Sequence, residues 1–241
     1  MTAGRARPWR RTAVGPRVAA ERRRGPEGEA PWWDPLDQAW AEDLALPLRT
    51  FGRGWLEVPM LNNAERPDPL AGPAAGGVLA ARAERGLVAL DEGRAWRRRR
   101  DGVLAVLRVE VYASVDDAAH RAAWREDAEA ALAQTWRARW AERGRDPGWV
   151  EASWVPLEDR PEAVRSGPLA SAVDWLRVED HTEAAEQEAV MVYEHVVVWL
   201  GRAQATLTVR HVGGLDLDQP VGEAAAVLAA TPPPPDRPAG T

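Results

Sequence analysis

The chain has 241 residues, 45% of them hydrophobic, and a formal net charge of −6. That is enough length for one domain or two and enough apolar content for a sizeable core, and the charge excludes generic polyanion binding by the chain as a whole. There is no cysteine and all 31 basic residues are arginine. This excludes disulfides, thiolate nucleophiles, iron–sulfur clusters, cysteine-based zinc sites, lipoprotein anchoring through cysteine, lysine Schiff bases and a P-loop lysine.

Thirteen tryptophans stand against one phenylalanine, and isoleucine is absent. This is the bias of a very GC-rich genome, which accounts for much of the arginine. Residues 1–30 carry eight arginines and three glutamates, a net of +5, which leaves −11 on the remainder. "RARPWRRTAVGPRVAAERRR" contains no apolar stretch of signal-peptide length, and Arg10-Arg11 is not followed by one. No run approaches the roughly 18 apolar residues of a spanning helix. The expectation is a cytoplasmic protein with no membrane span and a disordered basic tail over 1–30. That tail is either a solvated arm or a weak contact with nucleic acid or another anionic surface. The proline run in "TPPPPDRPAGT" predicts a second disordered tail over 232–241.

Along the chain, "PWWDPLDQAWAEDL" predicts a short amphipathic helix within 31–44. Asp34 is its N-cap, Pro35 its first residue, and Leu36, Trp40 and Leu44 its apolar face. Trp32, Trp33, Leu36 and Trp40 are candidate interaction residues, with docking on the chain's own domain as the simpler alternative. "GWLEVP" reads as a strand. Gly52-Arg53-Gly54 lacks the third glycine of a dinucleotide fingerprint, because position 57 is Glu57. A meander follows, with turns expected at Asp91-Glu92-Gly93 and Asp101-Gly102. Val103, Ala105, Leu107, Val109 and Val111 alternate onto one face; Leu104, Val106, Arg108, Glu110 and Tyr112 share the other. The Arg97–Arg100 run is expected on a solvated edge strand, where only two of the four share a side.

Ser114 and Asp117 open a capping-box-like start. Trp124, Ala128, Leu132, Trp136 and Trp140 then recur at i+4, predicting a long tryptophan-rich helix over about 115–143. At ~1.5 Å per residue it spans a sheet. "WVEASWVPL", "ASAVDWLRVEDHT" and "VMVYEHVVVWLGRAQATLTVRH" are strand-rich, and "LDLDQPVGEAAAVLAA" closes with a short helix. The fold class is therefore α+β: a mainly antiparallel sheet packed by one long helix and a short C-terminal helix, in a single domain over 45–231.

The order of elements resembles the PsbP-like fold, including its actinobacterial lipoprotein relatives. The likeness runs from about Arg49 to Ala230: an early "GWLEVP" strand, a strand–helix pair at Val103–Arg143, and the "VYEHVVVWLGRAQATLTVRH" hairpin before a closing helix. The resemblance implies a non-catalytic binding or assembly role with no cofactor. The chain departs from the lipoprotein relatives in lacking a signal peptide and a lipid-bearing cysteine, which puts an extracellular role in doubt. "VEVYASVDDAAHRAAW" is similar to the strand-into-helix stretch of dimeric α/β-barrel monooxygenase-like domains, but the repeated half those folds need is not visible.

No serine lies in a G-x-S-x-G elbow, and no histidine pair has H-E-x-x-H spacing. "DWLRVEDHTE" offers Asp174, Glu179, Asp180, His181 and Glu183 as ligands for a divalent cation, but Glu179, Asp180 and His181 are consecutive, so a strand splays them to alternate faces and no tight metal site is expected. His120, in the first turns of the long helix, is expected to be exposed. In the last hairpin, a two-residue Gly201-Arg202 loop makes facing residues sum to 403. Val192, Val196, Val198 and Leu200 then meet His211, Leu207, Ala205 and Ala203 on a core face. Tyr193, His195, Val197 and Trp199 meet Arg210, Thr208, Thr206 and Gln204 on the other. That second face is either a half-wet sheet surface or the wall of a pocket, with Tyr193, His195, Trp199, Thr208 and Arg210 as candidate ligand-binding residues. The functional expectation is a non-enzymatic accessory or protein-interaction protein with an unknown protein partner. The alternative is a small-molecule binder or enzyme using the Tyr193, His195 and Arg210 face.

Overall fold

A computed structural model describes residues 34–44, 46–58, 86–114, 125–126, 150–181 and 190–235. Helix α1 (Pro35–Asp43) leads to strands β1 (Trp55–Val58), β2 (Leu87–Arg98), β3 (Leu104–Tyr112) and β4 (Val150–Trp154). Two single-turn helices, α2 (Glu162–Arg165) and α3 (Leu169–Ala172), precede β5 (Val173–Asp180), β6 (Met191–Leu200), β7 (Ala203–Val212) and helix α4 (Asp218–Ala229). Seven strands make one sheet in the order β1-β2-β3-β7-β6-β5-β4, and every neighbouring pair is antiparallel. The α+β class with a mainly antiparallel sheet is as expected. Of the long helix expected over 115–143, only Arg125 and Glu126 are described, and both are helical; the rest, with His120, lies outside the described residues, as do the basic segment 1–30, Trp32 and Trp33. Among the described residues no helix is long and apolar enough to cross a membrane.

Period-two alternation sets the two faces of the sheet. Val103, just before β3, and Ala105, Leu107, Val109 and Val111 of β3 join Val196, Val198 and Leu200 of β6 and Leu207 and Val209 of β7 in the main core. Val221, Ala224, Ala225 and Leu228 of α4 and Ala41 of α1 pack onto the same face. Gly222 lets α4 lie close to Pro161: a Cβ there would stand 2.8 Å from the proline ring. The opposite face holds a second apolar cluster, Leu176, Val178, Met191, Tyr193 and Val197. Arg125 donates to Asp174 on this face at 2.7 Å and sits over the Trp154 ring at 5.1 Å.

Four expectations are corrected. Asp34 and Pro35 start α1 as predicted, with the Asp34 side chain accepting from the Leu36 and Asp37 N–H groups. Its buried face, however, is Asp37, Gln38, Ala41 and Leu44, and Leu36 is 81% exposed. The reason is long-range. Asp37 pairs with Arg202, and the Gln38 amide makes two 3.1 Å bonds to the Leu90 backbone, substituting for a neighbouring strand. Next, Asp91-Glu92-Gly93 is no turn: β2 runs through it with a register shift between Asp91 and Arg94. Third, β2 is not an edge, because β1 pairs outside it over Ala95–Arg98. Arg98 lies over Trp55 and pairs with Asp101 at 2.7 Å, while Arg97, Arg99 and Arg100 are exposed. Last, the proline tail begins as ordered packing: Pro234 is buried and Arg202 donates to the Pro235 carbonyl at 2.8 Å. Residues 236–241 lie outside the described set.

Candidate functional site

The β6–β7 register pairs residues whose numbers sum to 403, as the sequence predicts: Tyr193 with Arg210, His195 with Thr208, Trp199 with Gln204. Gly201, at φ +59°, supplies the left-handed residue that a two-residue loop needs. The candidate face is packed rather than half-wet. Tyr193 is 3% exposed, His195 4% and Thr208 2%, with Trp199 and Arg210 half-buried. His195 Nδ1 lies 3.1 Å from the Thr208 hydroxyl, and the Trp199 indole donates to Asp174 at 2.9 Å. Further along, Arg108 pairs with Glu110 at 3.1 Å, and the Tyr112 hydroxyl donates to Glu110 at 3.0 Å. These contacts tie polar groups of the face to one another. Of the interaction candidates, Trp40 packs partly against the main core and Leu36 projects outward.

The cleft that the described residues line opens on the other face, at the end of the hairpin away from its loop. It has a volume of about 630 Å³. Its floor is β5, β6 and β7, and its wall is the Gly213–Asp218 segment leading into α4. The Gly213 N–H donates to Val190 O at 2.7 Å, and Gly214 turns the chain at φ +83°. α4 then crosses the apolar half of the face, and among the described residues nothing covers this end.

At the centre is Glu194, a carboxylate in the otherwise apolar series Val192, Val196, Val198, Leu200. Its cross-strand partner is Arg177, which follows Val173 and Trp175 on the same face of β5. Arg177 Nε donates to Glu194 at 2.7 Å and Nη2 donates to Asp218 at 2.9 Å, so one guanidinium bridges two carboxylates. The Trp175 indole donates to the other Glu194 oxygen at 2.6 Å. His211 Nε2 stands 3.6 Å from Glu194 Oε1, beyond hydrogen-bond reach, so its hold on the carboxylate is electrostatic. Burial pushes the Glu194 carboxyl up, but His211, the Trp175 bond and the Arg177 charge together outweigh it and hold the group below its usual range. Asp218 moves the other way: burial raises it, and Glu194 and Asp216 add to that against the attraction of Arg177. Burial lowers the Arg177 guanidinium, yet Glu194, Asp218 and Glu179 carry it above its ordinary value.

The sequence reading passed over Glu194, Arg177 and Asp218. The signal was present: an acid interrupting one apolar period-two run and a base ending another, on strands that pair. Glu179 and His181 sit at the edge of this region. They come together with Glu151 of β4, their donor atoms all within 4.8 Å of one another. That set was not weighed, since two of its members are separated by one residue and the third comes from another strand.

No protein-family model, curated protein or solved structure matches the chain.

Proposed function

We propose that the protein is a small-molecule-binding α+β domain whose cleft takes a positively charged ligand, such as an organic amine. One observation carries the reading. The 630 Å³ cleft is lined by four carboxylates, Glu179, Glu194, Asp216 and Asp218, against the single arginine Arg177. Such an excess of one sign in a concave site concentrates counter-ions. His211 borders the same cleft: its Nδ1 engages the Val212 carbonyl at 3.0 Å, and its buried Nε2 lies 3.6 Å from Glu194 Oε1.

The experiment is a metal-free thermal-shift titration of the full chain with spermidine, 1,4-diaminobutane and choline, and with citrate as the anionic counter-probe. Amines are expected to raise the melting temperature in a dose-dependent way, as any ligand of the folded state does, and citrate is not. The effect should be lost in the Asp216→Asn/Asp218→Asn double variant. No shift with any amine, or an equal shift in the double variant, overturns the reading.

A second reading is a non-enzymatic accessory or protein-interaction protein of PsbP-like kind. It draws support from the order of elements and from Leu36, at 81% exposed on α1. It expects every small cation to leave the melting temperature unmoved, so the same titration separates the two.

A further inference from the structure

We propose that Glu151, Glu179 and His181 form a divalent-cation site of zinc or manganese character at the rim of the cleft. The sheet itself makes the arrangement. Glu179 and His181 are two residues apart, so they fall on one side of the β5 line, whereas Asp180 between them is buried on the other. Glu151 is the cross-strand partner of Glu179. Two glutamates directly opposite on one face repel each other and favour a cation between them. Arg177, next along that face, is attracted to Glu179, but its Nε and Nη2 make their hydrogen bonds to Glu194 and Asp218.

The geometry is close to closed. The three donor atoms lie within 4.8 Å of one another, and His181 Nε2 is 3.6 Å from Glu179 Oε2. Ligand atoms sharing one ion through bonds of about 2.0–2.2 Å sit roughly 3–4 Å apart. The adjustment therefore falls on the ends of two flexible glutamates rather than on the backbone. One imidazole with two carboxylates suits zinc or manganese better than magnesium or calcium, which prefer oxygen alone. The carboxylate-rich cleft alongside draws cations to the same end of the sheet. Three protein ligands leave at least one coordination position to water or to a ligand in the cleft.

The test is calorimetry on the chelator-treated full chain with zinc chloride or manganese chloride as the only additive. Micromolar or tighter binding is expected at pH 7.5, at least tenfold weaker in both His181→Ala and Glu151→Gln. Affinity no better than millimolar, or wild-type affinity in both variants, overturns the site. Circular dichroism checks that each variant folds. Glu151 is exposed on an edge strand, so Glu151→Gln decides alone if His181→Ala does not fold. The metal and amine titrations are run separately, so failure of one leaves the other standing.

Discussion

Two arginines hold carboxylates at opposite ends of this sheet, and they use the same ion pair differently. Arg202, in the β6–β7 loop, is saturated. Nη1 donates to Asp37 at 2.8 Å and to the Tyr112 carbonyl at 2.9 Å, Nη2 to Asp37 and to the Pro235 carbonyl, and Nε to Pro235 at 3.2 Å. All five N–H groups of the guanidinium have an acceptor. The side chains are 9% and 4% exposed, and the clasp ties α1, β3, the hairpin loop and the proline segment together. Arg177 is 31% exposed, uses Nε and Nη2 for two carboxylates, and presents the rest of its guanidinium to a cleft. A saturated guanidinium joins elements; the other leaves part of its guanidinium facing the cleft, among surplus carboxylates.

The largest expected effect is at the saturated end. Asp37→Ala leaves the Arg202 charge buried with only carbonyl partners. It should lower the unfolding free energy by ~3–5 kcal/mol, the range for removing one member of a buried ion pair. Urea denaturation at pH 7 measures it. A loss below ~1 kcal/mol, typical of a surface pair, would erase the distinction between the two arginines.

The next effect is at the cleft floor. Glu194→Gln keeps an acceptor for Trp175 but removes the charge facing Arg177. The expected loss is ~1–3 kcal/mol at pH 7, less than at Asp37. Its pH dependence is distinctive. The folded-state Glu194 carboxyl titrates below its ordinary range. The stability it brings is therefore fully present above about 4.3, the unperturbed glutamate value, and is lost as pH falls through its lower folded value. The gap in melting temperature between wild type and variant should hold from pH 7 to about pH 5 and close below that. A gap that stays constant to pH 3 would mean Glu194 carries no net charge stabilisation.

These sites also show where a sequence stops being readable. The hairpin register followed from Gly201 and an unbroken alternation, both local. The start of α1 followed from Asp34 and Pro35, also local. The buried side of α1 did not, because Asp37 and Gln38 are drawn inward by partners 165 and 52 residues away. Hydrophobic periodicity assigns such residues to solvent, and so it chose Leu36 instead. The DEG stretch carried turn chemistry that also suits a bulge, and only pairing with β3 decides between them. Glu194 and Arg177 were legible as exceptions to two apolar patterns. Reading them as a pair requires knowing that β5 and β6 are neighbours, which alternation within either strand does not give.

The smallest expected effect separates binding from stability. Asp218 opens α4, where a negative charge gains ~0.3–1 kcal/mol from the helix dipole. Its pair with Arg177 is 45% exposed on the aspartate side, which limits that contribution to ~0–1 kcal/mol. With the Arg177 attraction included, the folded-state titration of Asp218 is still raised, first by burial and then by Glu194 and Asp216. A carboxyl raised in this way is ionised at a cost in the fold. Its contribution to stability therefore declines as pH rises from about 3.9, the unperturbed aspartate value, through the higher folded value. Asp218 is a half-exposed surface carboxylate, so Asp218→Asn should change the unfolding free energy by no more than ~0.5 kcal/mol at pH 7. Relative to wild type, the variant should gain stability across the window in which wild-type Asp218 ionises. Amine binding should nevertheless weaken, because one of the four lining carboxylates is gone. Urea denaturation and the amine titration, run on the same variant, give both numbers. A stability loss above ~1 kcal/mol would place Asp218 in a clasp like that of Arg202, and the contrast between the two ends of the sheet would fail.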